Sequence, residues 1–171
     1  MASALCSIKQ LKKKIMPKKI LIVEDNVQMV EIMTYILMNC GYEVVSLPNG
    51  NDVFTHIKTD HPDLVILDNV LPGMHGTEIC QLIKLNKTTQ NLPVIICSGD
   101  DDIDKALKQK GAPDDILYKP FDINGLIDMV AFRLAAWVFS LKPEVFSHKS
   151  NFAPFFALDL RLRAFDLRLK H

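Results

Sequence analysis

Cysteine is scarce in this chain: four residues, at positions 6, 40, 80 and 97, with no Cys-x-x-Cys pair among them. That spacing gives no disulfide framework, and the mostly apolar neighbourhoods read as buried free thiols in a reducing cytoplasm. A signal-peptide core is missing too, since Met1 to Lys14 holds lysines but only short apolar pieces such as Ala4-Leu5-Cys6. The stretch Leu134 to Leu141 is apolar on all sides, yet its eight residues cannot span a bilayer, and Asp128 and Arg133 interrupt any longer run. His56 and His61 have no partners at ligand spacing and read as surface residues rather than metal ligands. No internal repeat occurs. About 30 residues follow the apolar stretch, too few for a stable DNA-binding domain of their own.

Net charge is absent as well, with 20 basic and 20 acidic side chains, but its distribution is uneven. Residues 1–19 carry six lysines and no acid, residues 20–140 carry 8 basic and 17 acidic side chains, and residues 141–171 carry 6 basic and 3 acidic. An acidic middle argues against nucleic-acid binding by that part of the chain. The basic, poorly patterned residues 1–17 are expected to be a disordered extension. Met16-Pro17-Lys18-Lys19 directly precedes the first strand, which makes Met16 a candidate start.

Apolar content, by contrast, is ample. At 49% hydrophobic over 171 residues, the chain can fill one full core. The run Asp63-Leu64-Val65-Ile66-Leu67-Asp68 reads as a strand buried on both faces that stops abruptly at a carboxylate, with Pro72-Gly73 turning the chain beyond it. A strand-end Asp can simply cap the next turn. A second strand with the same ending argues otherwise: Lys19-Ile20-Leu21-Ile22-Val23 runs into Glu24-Asp25-Asn26.

In an open parallel sheet, ligands bind at the carboxyl ends of the strands, so Glu24, Asp25 and Asp68 meet at one edge. Carboxylates about 4 Å apart repel by a few kcal/mol each, a cost that a divalent cation removes. An all-oxygen site with few protein ligands suits Mg²⁺. Two further strands end in the same way, Pro93 to Cys97 at Ser98-Gly99 and Ile116 to Tyr118 at Lys119-Pro120. A hydroxyl, an ammonium and a metal around one carboxylate can neutralise a phosphoryl group arriving on it.

In the order and spacing of these residues, 18–134 resembles a response-regulator receiver domain of two-component signalling, of the chemotaxis-regulator-like single-domain type. The resemblance implies an α/β fold with a doubly wound, five-stranded parallel sheet in the flavodoxin-like order 2-1-3-4-5. It implies Asp68 as phosphoacceptor, served by a histidine kinase or histidine phosphotransfer protein, with Ser98 and Lys119 touching the phosphoryl oxygens. Asp25 and Asp68 would hold Mg²⁺ directly, helped by the backbone carbonyl of Val70, with Glu24 acting through water. Pro120 falls in the family's cis-proline position. Such a protein is a self-phosphorylating switch rather than an enzyme with a separate substrate. Its output would be a contact with a downstream protein, through a two-state surface built from the fourth helix, fifth strand and fifth helix.

Three alternatives share parts of this pattern. An aspartate-nucleophile phosphatase of the haloacid-dehalogenase type needs a second acid two residues after the nucleophile, where Val70 stands. A flavodoxin-like flavin binder needs a phosphate cradle where Glu24-Asp25 stands. A pseudo-receiver, folded but not phosphorylated, draws support from one departure. Receivers commonly carry a Tyr or Phe three residues before the lysine, and this chain has Ile116 there, with Tyr118 on the same strand face.

The remaining elements follow from periodicity. Asn26 caps a helix carrying Met29, Ile32, Met33, Ile36, Leu37 and Cys40, core-facing at that spacing and stopped at Gly41. Glu43 to Leu47 is a strand, and a short helix follows through Val53, Phe54 and Ile57. A third helix, capped near Thr77, carries Ile79, Cys80, Leu82 and Ile83. His75, close to Asp68, occupies a variable position in the family and reads as a surface residue. Gly99 leaves room for a phosphoryl group. Asp100-Asp101-Asp102 begins a short fourth helix with acids suited to its N-terminus, and Asp122 begins a fifth. That fifth helix runs into Leu134 to Leu141, which must be covered by the tail, a second protomer or a partner. The alternation from Leu158 to Lys170 reads as a strand. Residues 135–171 thus form a hydrophobic helix extension and a tail.

Overall fold

A computed structural model describes residues 17–141. Most of the basic extension, the side chains of the apolar stretch beyond Ala135 and the alternating segment Leu158 to Lys170 lie outside the described residues. The elements are β1 (Lys19–Val23), α1 (Val27–Asn39), β2 (Glu43–Leu47), α2 (Val53–Asp60), β3 (Leu64–Asp68), α3 (Gly76–Leu85), β4 (Val94–Ser98), a 3-10 helix (Asp101–Lys108), β5 (Asp115–Tyr118) and α4 (Ile123–Leu141). One compact unit ends at Trp137; of a second, from Val138, only the end of α4 is described. No helix among the described residues is long and apolar enough to cross a membrane.

All five strands are parallel and ordered β2-β1-β3-β4-β5, the doubly wound arrangement expected from sequence. Successive strand side chains point to opposite faces, so each strand feeds two cores. Leu21, Val23, Val65, Leu67, Val94 and Ile96 face α2, α3 and the 3-10 helix, whose Val53, Ile79, Ile83 and Ile103 complete that side. Ile20, Ile22, Leu64, Ile66 and Ile95 face α1 and α4, meeting Met33, Leu37, Leu126, Val130 and Leu134. All five residues of β3 are buried, because it lies at the centre of the sheet with helices on both sides.

Local signals set the helix ends. Asn26 Oδ1 accepts from the Met29 amide at 3.1 Å, and Asp122 Oδ1 from the Gly125 amide at 2.8 Å. At the C-terminus of α1, Gly41 takes φ +89°, and the Tyr42 and Gly41 amides bond back to the carbonyls of Leu37 and Met38. This closes a Schellman motif that a residue with a Cβ would strain.

Four local expectations change. Helix α3 begins at Gly76 with His75 as its cap, not near Thr77, because the Glu78 carboxylate accepts from the His75 amide at 3.0 Å. Ile32 of α1 is 53% exposed, so the fully buried stripe narrows to Met33, Ile36 and Leu37, with Met29 packed against it half-buried. His56 has a partner in Asp60, its Nδ1 standing 2.6 Å from a carboxylate oxygen one helical turn away. The fourth helix is a 3-10 helix, anchored by buried Ile103 and Ala106, which stand one above the other at three residues per turn.

Ile66, 1% exposed and paired in register with Ile22 and Ile95, sits at the middle of the sheet. Ile66→Ala is expected to cost about 2–5 kcal/mol, because the rigid strands around it cannot collapse into the vacancy. The midpoint of urea unfolding measures this, and a change under about 1 kcal/mol would mean the centre of the sheet repacks freely.

Candidate functional site at the carboxyl edge of the sheet

Four strand ends share the carboxyl edge of the sheet. Beyond β1, Glu24 is 3% exposed while Asp25 is open to solvent; β3 ends in Asp68 at 7% and β4 in Ser98 at 1%. Lys119 follows β5. Glu24, Asp25 and Asp68 each offer an oxygen, all within 4.8 Å of one another. Two like charges this close, buried by the sheet, demand a counter-charge. Lys119 supplies one, its Nζ donating to Glu24 Oε2 at 2.8 Å and to Asp68 Oδ1 at 2.9 Å. The peptide between Lys119 and Pro120 is cis.

The loops around this centre are tied down by backbone bonds. Asn26 N donates to Glu24 Oε1 at 3.3 Å, and Asn69 N donates to the Cys97 carbonyl at 2.9 Å. Ser98 Oγ accepts from the Asp100 amide at 3.0 Å, which leaves its own O–H available to donate elsewhere. Gly76 N donates to the Asn69 carbonyl at 3.0 Å. A Cβ on Gly76 would stand 2.2 Å from the Asp68 carbonyl oxygen, so only glycine allows α3 to begin there. At Gly99 a Cβ would meet only Lys119 atoms at 3.9 Å, ordinary contact, so packing does not require that glycine.

Lys119 is pulled toward neutrality by burial, but hydrogen bonds and charge from Glu24 and Asp68 outweigh this and raise its pKa above the ordinary value. Burial pushes the Cys97 and Cys80 thiols up to about 12, which leaves neither as a nucleophile at neutral pH. Val70, whose carbonyl the resemblance gives to the metal, follows on the loop after β3 with its side chain exposed between buried Asn69 and Leu71. His75 is exposed, with Nδ1 3.3 Å from the Asn69 carbonyl, outside the cluster of carboxylates.

Two features had no sequence signal. Asn69 is 8% exposed and its Oδ1 has no hydrogen-bond partner. Tyr118, exposed on β5, donates its hydroxyl to Asp104 of the 3-10 helix. Only the departure at Ile116 pointed toward that strand.

The profile of the response regulator receiver domain matches residues 20–131. The chain belongs to that family. It is 34% identical over 122 residues to the alkaline phosphatase synthesis transcriptional regulatory protein PhoP of Bacillus subtilis (strain 168), covering 69% of this chain and 50% of PhoP. It is 30% identical over 120 residues to the DNA-binding response regulator MtrA of Mycobacterium tuberculosis (strain ATCC 25618 / H37Rv), covering 70% and 51%. The chain thus spans about half the length of these relatives. Among solved structures, it is similar to the signal receiver domain of a signal transduction histidine kinase from Syntrophus aciditrophicus (TM-score 0.65, 26% identity, covering 80% of this chain and 98% of that one). The chemotaxis response regulator CheY4 of Vibrio cholerae shares the fold (TM-score 0.63, 21% identity, covering 69% and 99%). Receivers typically use Mg²⁺ at an acidic pocket, and Glu24, Asp25 and Asp68 form such a group here.

A raised folded-state pKa means Lys119 holds its proton more tightly in the native protein than in the unfolded chain. Its contribution to stability is therefore full below the unfolded value of 10.5 and lost as pH rises through the higher folded value. Wild type should exceed Lys119→Met in urea midpoint by a constant amount from about pH 7 to about pH 9, and the gap should close at higher pH. A gap independent of pH would show that packing of the lysine stem, not its charge, holds the site.

Proposed function

We propose that this receiver is phosphorylated on Asp68 by the phosphohistidine of a histidine kinase or histidine phosphotransfer protein, with Mg²⁺, and signals through contacts with a downstream protein. The observation that carries the reading is the bridge from Lys119 to both Glu24 and Asp68, beside Asp25, at the open edge of the sheet. The three carboxylates fit a small oxygen-bound cation, since each presents an oxygen within 4.8 Å of the others. Asp25 and Asp68 would hold it directly, with the Val70 carbonyl, and Glu24 through water. The cation would supply the positive charge that offsets carboxylate repulsion and meets the incoming phosphoryl oxygens.

Asp68 attacks phosphorus through its carboxylate oxygen: a P–O bond forms, the P–N bond to imidazole breaks, and the electron pair leaves with the ring nitrogen. Lys119 stays protonated at neutral pH and exchanges its bond to the carboxylate for one to a phosphoryl oxygen. Ser98 donates its O–H to another while still accepting from the Asp100 amide, so occupancy is transmitted into the following loop. Next to Lys119 an apolar groove of about 190 Å³, lined by Met29, Ile32, Ile36, Pro120, Phe121 and Ile123, supports docking of a phosphohistidine-bearing helix. Residues 18–134 would form the signalling module, with a second protomer among the contacts open to residues 135–171.

Incubation with acetyl phosphate and Mg²⁺ should add one phosphoryl group by intact mass, and Asp68→Asn should remove it, because an amide is too weak a nucleophile. Undiminished labelling of the Asn variant would end the assignment; no labelling of the wild type would favour a non-phosphorylated interaction module. Asp25→Ala removes one ligand and one charge together, so Mg²⁺ affinity should fall at least about tenfold. An unchanged Mg²⁺ titration would place the cation elsewhere.

A further inference from the structure

Ile116 holds the position where receivers commonly carry an aromatic residue. It is 5% exposed and packs in one core with Ile103 and Ala106 of the 3-10 helix. An aliphatic side chain fixed in a core makes no hydrogen bond that a signal can break. Two residues on, Tyr118 emerges on the same face, 48% exposed, and its hydroxyl donates to Asp104 Oδ1.

The links from the site to this bond are continuous. Ser98 pairs in register with Tyr118, and the Ser98 carbonyl accepts from the Lys119 amide at 2.7 Å. Ser98 Oγ accepts from the Asp100 amide, and the helix carrying Asp104 starts at the next residue. That helix runs eight residues in 3-10 geometry, longer than the three or four that this geometry usually sustains. A cavity of about 260 Å³ lies against it, bounded by Asn69, Thr77, Ile103 and Ala106, and Asp104 is not among its walls. Asn69 lines that cavity, and its buried Oδ1 has no hydrogen-bond partner. The 3-10 helix therefore has a bond to lose at Tyr118, and open space beside it on the Asn69 side.

From this we infer that Tyr118 and Asp104 form a latch holding the 3-10 helix against β5 while Asp68 is unmodified, and that phosphorylation opens it. The coupling rests on the phosphoacceptor reading above; the latch itself rests on the tyrosine–carboxylate bond. Opening would release the exposed Tyr118 ring and shift the 3-10 helix toward Asn69, changing the surface offered to a downstream protein.

Hydrogen–deuterium exchange on the full chain tests both parts. Without phosphate, Tyr118→Phe and Asp104→Ala should each speed amide exchange in 101–108 by about three- to tenfold, the range expected for one lost hydrogen bond. The double variant should exchange no faster than either single one, since both remove the same interaction. With acetyl phosphate and Mg²⁺, wild type should rise to the level of the variants, while the variants gain the phosphoryl mass but change no further. Exchange in Tyr118→Phe equal to wild type, or additive effects in the double variant, would overturn the latch. A phosphorylated wild type whose 101–108 exchange stays slow would overturn the coupling. No mass gain in any protein would sink the phosphoacceptor reading and the coupling with it, while the unphosphorylated variants would still decide the latch.

Discussion

Repulsion between carboxylates at the end of a hydrophobic sheet is the constraint around which this molecule is organised. Glu24 and Asp68 are almost fully buried, yet both bond to the same ammonium, and Asp25 stands beside them in water. Burying paired charge is rarely the most stable solution; apolar residues of similar volume usually do as well or better. The arrangement makes sense as stored readiness. A strongly negative recess held together by one lysine is suited to a cation and, on the function proposed above, to an incoming phosphoryl group.

The apolar sheet keeps that recess in place. Strands filled with Ile, Leu and Val, covered on both faces, fix the carboxyl edge on which Glu24, Asp68, Ser98 and Lys119 stand. Register does the rest, because Ser98 lies opposite Tyr118 and Asp68 opposite Cys97. The connections after those strands are built more lightly. The 3-10 helix after Ser98 has just two buried side chains among its described positions, and the β3–α3 loop leaves Val70 and Met74 exposed. Rigid strands thus carry the polar groups of the site, and weakly held connections adjoin them.

Nearly all of this architecture was legible in the sequence, since short β-branched runs ending in polar residues give both the strands and their functional ends. The same runs pointed to Glu24, Asp25, Asp68 and Lys119, which the structure brings together, and to Ser98 at the next strand end. Less visible were features that depend on what faces what. Helical spacing put Ile32 in the core stripe, but the curvature of packing against one sheet leaves that residue at the margin. Thr77 is a good cap by type, yet Glu78 reaches back to His75 and moves the start of α3. The Tyr118–Asp104 bond spans 14 residues and two elements, and no periodicity announces a pair of that kind.

Gly76 shows how a chain can be constrained by an atom it must not have. Exchange of glycine for alanine alters neither charge nor polarity, and on a scale of chemical similarity it counts among the mildest changes. Here it would drive a methyl group to within 2.2 Å of the carbonyl belonging to Asp68 itself. The damage would be mechanical, displacing the backbone that carries Asp68 while leaving every polar group of the site in the sequence. Among natural variants of this receiver, an intact set of acids and lysine is therefore insufficient evidence of competence unless position 76 is also read.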